Sequence, residues 1–314
     1  MSEITPTAFP HVSRRDFLIK STLAASALAA TRASALSQTP SIASGNQTRW
    51  PLCVFTKPFQ ELNPREMAAL VADVGWDGVE IPVRSKGQVE PEKVADLLPA
   101  YAEALRAQKK DIYVATTDLT RIDQKHGETV LRTISKLGIK KIRLGFFKYD
   151  LTRSPALQLP AIGDALKDIA IACRELGLQA GFQNHSGKTY VGAPVWDVYS
   201  LIKDMNPREL GFCFDIAHAT IEGGLAWPLH AKLAEPFYTA VFVKDYVWKK
   251  TDKGWKETWC QLGEGMVDRA FFEGLKKSSY QGPLCQHHEY RWSDRAQMIS
   301  MMRQDLQVLR TWVS

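Results

Sequence analysis

The chain has 314 residues, 45% of them hydrophobic and 24% charged, with a formal net charge of +6. That balance is an ordinary globular one with enough apolar material for a sizeable core. Beyond the first 40 positions no apolar run reaches the length that spans a bilayer, about 18 residues. The basic residues are scattered in pairs such as Lys109-Lys110, Lys140-Lys141 and Lys249-Lys250, which argues against nucleic-acid binding.

The N-terminus reads as an address. Ser13-Arg14-Arg15-Asp16-Phe17-Leu18-Ile19-Lys20 carries the twin-arginine pattern S-R-R-x-F-L-x-K. A weakly apolar stretch, Ser21 to Ala30, and an A-x-A cleavage signal at Ala33-Ser34-Ala35 follow it. The expectation is a signal over residues 1–35, a linker over 36–49 and one domain over 50–314. Such a chain meets the twin-arginine translocase, crosses folded into the periplasm and keeps no stable membrane insertion after cleavage. Five cysteines (Cys53, Cys173, Cys213, Cys260, Cys285) without C-x-x-C spacing indicate neither a zinc knuckle nor a disulfide framework. Free thiols suit a protein that folds in the reducing cytosol before export.

From Trp50 onward short apolar runs alternate with longer amphipathic stretches. Strands are expected at Leu52–Thr56, Gly78–Pro82, Ile112–Thr116, Lys141–Gly145, Gln179–Gln183, Leu210–Asp215, Ala240–Lys244 and Pro283–His287. Helices are expected at Pro64–Val74, Pro91–Ala107, Glu128–Lys136, Ala156–Leu176, Val195–Lys203, Val267–Lys277 and Ser293–Trp312, with a weaker pattern at Ala226–Ala234. Eight such units predict an α/β fold, a single closed (β/α)₈ barrel. A doubly wound open sheet would want a G-x-G-x-x-G turn after an early strand, and the sequence has none.

Active sites of these barrels lie at the C-terminal strand ends, where side-chain parity selects what faces the mouth. The polar residues there are Lys57, Glu80, Asp118, Arg143, Gln183, His185, Asp215, His218, Lys244, His287 and Glu289. A ring of ionisable groups on one face is hard to explain as packing, because unpaired buried charge is costly.

Six segments carry a resemblance: Trp76-Asp77-Gly78-Val79-Glu80, Gly181-Phe182-Gln183-Asn184-His185-Ser186-Gly187, Phe214-Asp215-Ile216-Ala217-His218-Ala219, Val241-Phe242-Val243-Lys244-Asp245, Leu262-Gly263-Glu264-Gly265 and Leu284-Cys285-Gln286-His287-His288-Glu289-Tyr290. In order and spacing they resemble the sugar phosphate isomerase/epimerase family of xylose-isomerase-like barrels, over about Trp50 to the C-terminus. The resemblance implies one divalent metal at the barrel mouth, held by Glu, Asp, His and Glu from strands five to eight. Here the Glu of the E-N-H segment is Gln183, the Asp of D-x-x-H is kept as Asp215 with His218, the His before Lys-Asp is Phe242, and the last Glu is His287.

Two alternatives follow for the cofactor. Gln183, Asp215 and His287 hold one divalent ion (Mn, Fe or Zn) with waters, or the barrel is metal-free. The family's two-carboxylate proton shuttle does not transfer, because Gln183 cannot take a proton. A single base, His287 or Glu289, with Lys244 stabilising a developing oxyanion, points to an isomerase or a lyase acting on a sugar or keto-sugar. Glu80, Arg143, His185, His218 and Glu264 are the expected substrate contacts, although Glu80 could instead pair with Lys57 or Arg84. The alternative is a catalytically inactive sugar-binding barrel.

Overall fold

The computed structural model describes residues 49–314, so the export signal and nearly all of the linker lie outside the described residues. Eight parallel strands close into a barrel: β1 (Leu52–Phe55), β2 (Gly78–Val83), β3 (Asp111–Thr117), β4 (Lys141–Arg143), β5 (Gln179–Gln183), β6 (Leu210–Asp215), β7 (Tyr238–Val243) and β10 (Leu284–Gln286). Their order around the barrel is β1-β10-β7-β6-β5-β4-β3-β2, the expected single (β/α)₈ arrangement. Among the described residues no helix is long and apolar enough to cross a membrane.

Two apolar layers follow from strand periodicity. Outward-facing residues such as Leu52, Val79, Ile81, Phe212 and Phe214 pack under the helices. Cys53, Val114, Cys213, Ala240, Phe242 and Cys285 form a separate buried cluster inside the barrel, where Cys53, Cys285 and Phe242 lie in register on β1, β10 and β7. Three of the five cysteines are thus small interior hydrophobes, and all five are free thiols.

Local chemistry sets the element ends. Asn63 accepts from the backbone N–H groups of Arg65 and Glu66 while Glu66 accepts from the N–H of Asn63, a full capping box, and Pro64 occupies the first turn of the helix Pro64–Val74. Gly75 ends that helix at φ 99°, a left-handed conformation in which a side chain would be strained. Asn63→Ala is expected to lower unfolding stability by about 1 kcal/mol, measurable as a shifted urea midpoint with an unchanged m-value.

The structure departs from the expected elements in two places that matter for the site. First, β8 (Asp245–Thr251) and β9 (Gly254–Cys260) form an antiparallel hairpin after β7. The sequence pattern left this stretch without an element because both its faces are largely exposed, so no period-two burial signal is written into it. Second, β6 is followed by two helices, Ile216–Gly223 and Trp227–Ala234, where only the second was expected. The first starts directly at Asp215, whose carboxylate accepts from the His218 N–H at 3.1 Å as its N-cap. The same residue both ends a strand and starts a helix.

Candidate active site

The barrel strands deliver a cavity of about 100 Å³ lined by Phe55, Lys57, Glu80, Arg84, Thr116, Arg143, Phe146, Gln183, His185, Lys244, His287 and Glu289. Every one of these lies on a barrel strand or just beyond its C-terminal end.

Lys244 is the electrostatic centre. It follows β7, its side chain is 3% exposed, and its Nζ lies 3.3 Å from Asp215 Oδ2 and 3.2 Å from Glu289 Oε2. It also lies 2.8 Å from His218 Nε2 and 4.4 Å from the ring centre of Trp259 on β9. Burial works against the ammonium, but Asp215 and Glu289 together raise its pKa above the ordinary lysine value. An ammonium only donates, so His218 Nε2 accepts, and His218 Nδ1–H donates to Ser186 Oγ at 2.8 Å. Burial first, and then Lys244, hold the His218 pKa well below the ordinary value, in keeping with this neutral tautomer.

Glu289 closes the mouth over Lys244. Burial alone would raise its carboxyl, but Lys244, His287 and Lys57 bring it down to about 2. Because that lies below the ordinary 4.5, Glu289 contributes stability that is complete above pH 4.5 and is lost as pH falls toward 2. Glu289→Gln should flatten the acid side of a melting-temperature profile across that window by lowering stability near neutrality, with little change near pH 2.

A second group is built on His287. Its Nε2 lies 2.8 Å from Glu80 Oε2, and Thr116 Oγ1 donates to the other Glu80 oxygen. The imidazole is held between Phe55 and Phe242, with ring centres 4.6 and 4.5 Å away. Its Nδ1 makes no hydrogen bond within the described residues and remains available at the cavity. Phe242, the residue in place of a family ligand, therefore serves as one wall of the His287 slot.

The third group is a row of rings along the β4–β5 side. Arg143 is buried, donates through Nε to Gln183 Oε1 at 3.0 Å and through Nη1 to the Thr117 carbonyl at 3.2 Å, and lies 3.9 Å from the Phe146 ring centre. His185 donates through Nδ1 to the Ser186 carbonyl at 2.8 Å and stacks on His218 and Tyr190. Burial, then Lys244, lower the His185 pKa to about 4, so its free Nε2 is an acceptor for a hydroxyl group.

Several expected roles change. Gln183 and Asp215 do meet, but the Gln183 amide points its NH₂ at Asp215 Oδ2, 3.0 Å away, while its oxygen is turned to Arg143. To ligate an ion beside Asp215 the amide would have to flip, setting its NH₂ against the guanidinium. His287 turns Nε2 to Glu80 instead of toward Asp215, and Asp215 already faces Lys244. Among the described residues no group of three or more His, Cys, Asp or Glu side chains could hold a metal ion. As arranged, Gln183, Asp215 and His287 do not fit a divalent metal.

Glu80 accepts from His287 and Thr116, one on each carboxylate oxygen, and it pairs with neither Lys57 nor Arg84; Lys57 faces Glu289 at 3.9 Å. His218 lies beneath Lys244, outside the cavity lining. Glu264 is exposed and also outside the lining; its loop instead wraps Asp245, whose carboxylate accepts from Gly263, Gly265 and Val267. Asp118 accepts from the Ser85 N–H and the Gln124 amide and is likewise absent from the lining.

Thr116, Arg84, Tyr190 and Trp259 were not among the expected site residues. Thr116 and Arg84 sit at strand ends and were open to the parity argument. Trp259 reaches the site from the hairpin and carried no such signal. Asn184 was visible in the motif; its amide exchanges two hydrogen bonds with the Asp215 backbone, at 2.8 and 2.9 Å, and so locks the tips of β5 and β6 together.

Residues 68–312 match the sequence pattern of the xylose isomerase-like TIM barrel family. The chain belongs to that family. A comparison with curated proteins found no match. Solved structures share the fold. The 3-keto-D-glucoside 4-epimerase of E. coli superposes with a TM-score of 0.64 at 18% identity, over 83% of this chain and 99% of that one. A D-psicose 3-epimerase from Clostridium cellulolyticum H10, solved with D-tagatose, gives 0.63 at 12% identity, over 84% and 99%. A xylose isomerase-like TIM barrel protein from Mycobacterium smegmatis, in complex with magnesium, gives 0.62 at 18% identity, over 84% and 98%.

Proposed function

We propose that this protein is a sugar isomerase-type enzyme that removes the proton beside a carbonyl of a sugar or keto-sugar, and that the Lys244 ammonium acts where a metal acts in relatives. The observation that carries the proposal is the buried Lys244 Nζ held between Asp215, Glu289 and His218 beside the Thr116–Glu80–His287 chain. Family membership and neighbours named as sugar epimerases support the substrate class.

His287 is the base. A carboxylate at Glu80 accepts from both neighbours, so the His287 proton sits on Nε2 and Nδ1 offers its lone pair to the cavity. Glu289, held at about 2, is too weak a base at neutral pH and is assigned instead to orienting Lys244. Proton transfer from the substrate carbon to Nδ1 leaves negative charge on the carbonyl oxygen. Lys244 stabilises that charge at a fixed, desolvated position. Its hydrogens are directed at Asp215, Glu289 and His218, so the substrate oxygen takes the place of Glu289, the part-exposed one of these partners.

Return of the proton from His287 to the adjacent carbon, while Lys244 gives a proton to one oxygen and regains one from its neighbour, completes an aldose–ketose isomerisation. Departure of a β-substituent from the same enediolate gives the lyase outcome. His185 Nε2 accepts from a substrate hydroxyl, and Phe146 lines the cavity beside it. We place this chemistry in the periplasm on the twin-arginine signal.

The test is deuterium uptake. Wild type incubated in D₂O with a panel of keto-sugars is expected to exchange the proton beside the carbonyl of at least one, and His287→Gln is expected to abolish it. A panel that binds without exchange or conversion would instead favour the inactive sugar-binding barrel.

A further inference from the structure

The cavity has more cationic than anionic groups to satisfy. Its two carboxylates are engaged, Glu80 by His287 and Thr116 and Glu289 by Lys244 and Lys57. Its two guanidiniums are not. Arg143 is 3% exposed, yet no carboxylate comes within ion-pair distance of it, and it donates only to the neutral oxygens of Gln183 and Thr117. Its Nη2 makes no hydrogen bond to the described residues. Arg84, on the same wall, makes no ion pair or side-chain hydrogen bond within the described residues and rests over the Phe55 ring at 5.8 Å. The two cations repel each other: after burial, Arg84 is the strongest influence lowering the Arg143 pKa, which comes down to about 10.

A buried guanidinium without an anion is costly unless a ligand supplies one. The neutral amide of Gln183 has a consequence here, since a carboxylate at that position would have paired with Arg143 from within the protein. Aromatic faces on Phe146 and Phe55 support the two guanidiniums without satisfying their N–H edges, the edges that bind a carboxylate in a fork.

We infer that the site takes an anionic sugar, a sugar acid whose carboxylate is received by Arg143 and Arg84 while its carbonyl end faces Lys244 and His287. The inference rests on the proposed sugar chemistry and adds its substrate class. A terminal carboxylate suits two guanidiniums that line one cavity of about 100 Å³. A phosphate, the other anion sugars carry, would be expected to draw on a backbone N–H cradle or a free helix N-terminus. The helix start at Asp215 is already capped by its own side chain.

Calorimetry on the mature protein tests it with matched probes: D-glucuronate and 5-keto-D-gluconate against D-glucose and D-fructose, with glucose 6-phosphate as the phosphate arm. The acids should bind at least about tenfold more tightly than the neutral sugars, with affinity falling as salt rises. Arg84→Gln, a change at a half-buried position, should remove most of that preference, and Arg143→Lys should keep the charge but lose the fork geometry and weaken acids selectively. Equal binding of acids and neutral sugars, no acid binding at millimolar concentration, or an acid preference that survives both variants would overturn the inference. Preference for the phosphate arm would overturn the carboxylate assignment. Deuterium exchange on the same panel separates the two proposals. Neutral ketoses that exchange while acids do not bind sink this inference alone. Acids that bind through Arg84 without exchange sink the catalytic reading alone.

Discussion

Lys244→Met is expected to lower kcat by about 10²–10³-fold, the cost of removing one preorganised donor to a developing oxyanion, with KM changed far less. The same substitution should destabilise the fold by about 3–5 kcal/mol, because it strands the fully buried Asp215 carboxylate without its cation. These effects come from different atoms, and a second variant separates them. Lys244→Met/Asp215→Asn removes the stranded charge and should recover much of the lost stability while leaving turnover at the low level. Recovery of activity along with stability would reduce Lys244 to a structural partner of Asp215. The measurement is a pair of denaturant melts beside single-turnover rates on whichever sugar exchanges its proton.

His287→Gln should cost about 10²–10⁴-fold in turnover, the range of a positioned general base. Its partners should follow in graded order. Glu80→Gln disturbs the group that fixes the His287 tautomer, and Thr116→Val removes only the hydroxyl that steadies Glu80, so losses should fall from His287 through Glu80 to Thr116. The Glu80 and Thr116 losses should appear in kcat more than in KM, since both residues act through the imidazole. A Thr116→Val protein slower than His287→Gln would contradict the order. So would a Glu80→Gln protein with raised KM and normal kcat, which would return Glu80 to the substrate-binding role its strand-end position suggested.

The barrel was legible because its signals are local and repeated. Apolar runs such as Gln179–Gln183 and Leu210–Asp215 coincide with their strands residue for residue, and Asn63-Pro64 started its helix where the capping pattern said it would. The hairpin Asp245–Cys260 was not legible, because its burial is one-sided only near its base, where Tyr246 and Trp259 meet the barrel. Within the site, Lys57, Glu80, Arg143, Gln183, His185, Lys244, His287 and Glu289, all read from strand ends, line one cavity. What strand position could not supply was pairing. Residue spacing does not reveal that Gln183 turns its oxygen to Arg143 or that His287 takes Glu80. Those choices depend on side-chain directions across strands far apart in sequence, and they move the expected ligand set away from ion binding. His218 and Glu264 illustrate the same limit: both follow strand-end motifs, yet one is covered by Lys244 and the other stays exposed on its loop.

On the proposed function, the Lys244 ammonium holds the position a metal would need. Elemental mass spectrometry of the untagged mature protein, purified without chelator and then offered Mn, Fe, Zn and Mg, tests it most directly. Wild type is expected to carry no stoichiometric metal and to show deuterium exchange that is unchanged by EDTA. Near-stoichiometric metal that disappears in Asp215→Ala, with exchange that needs the ion restored, would contradict it.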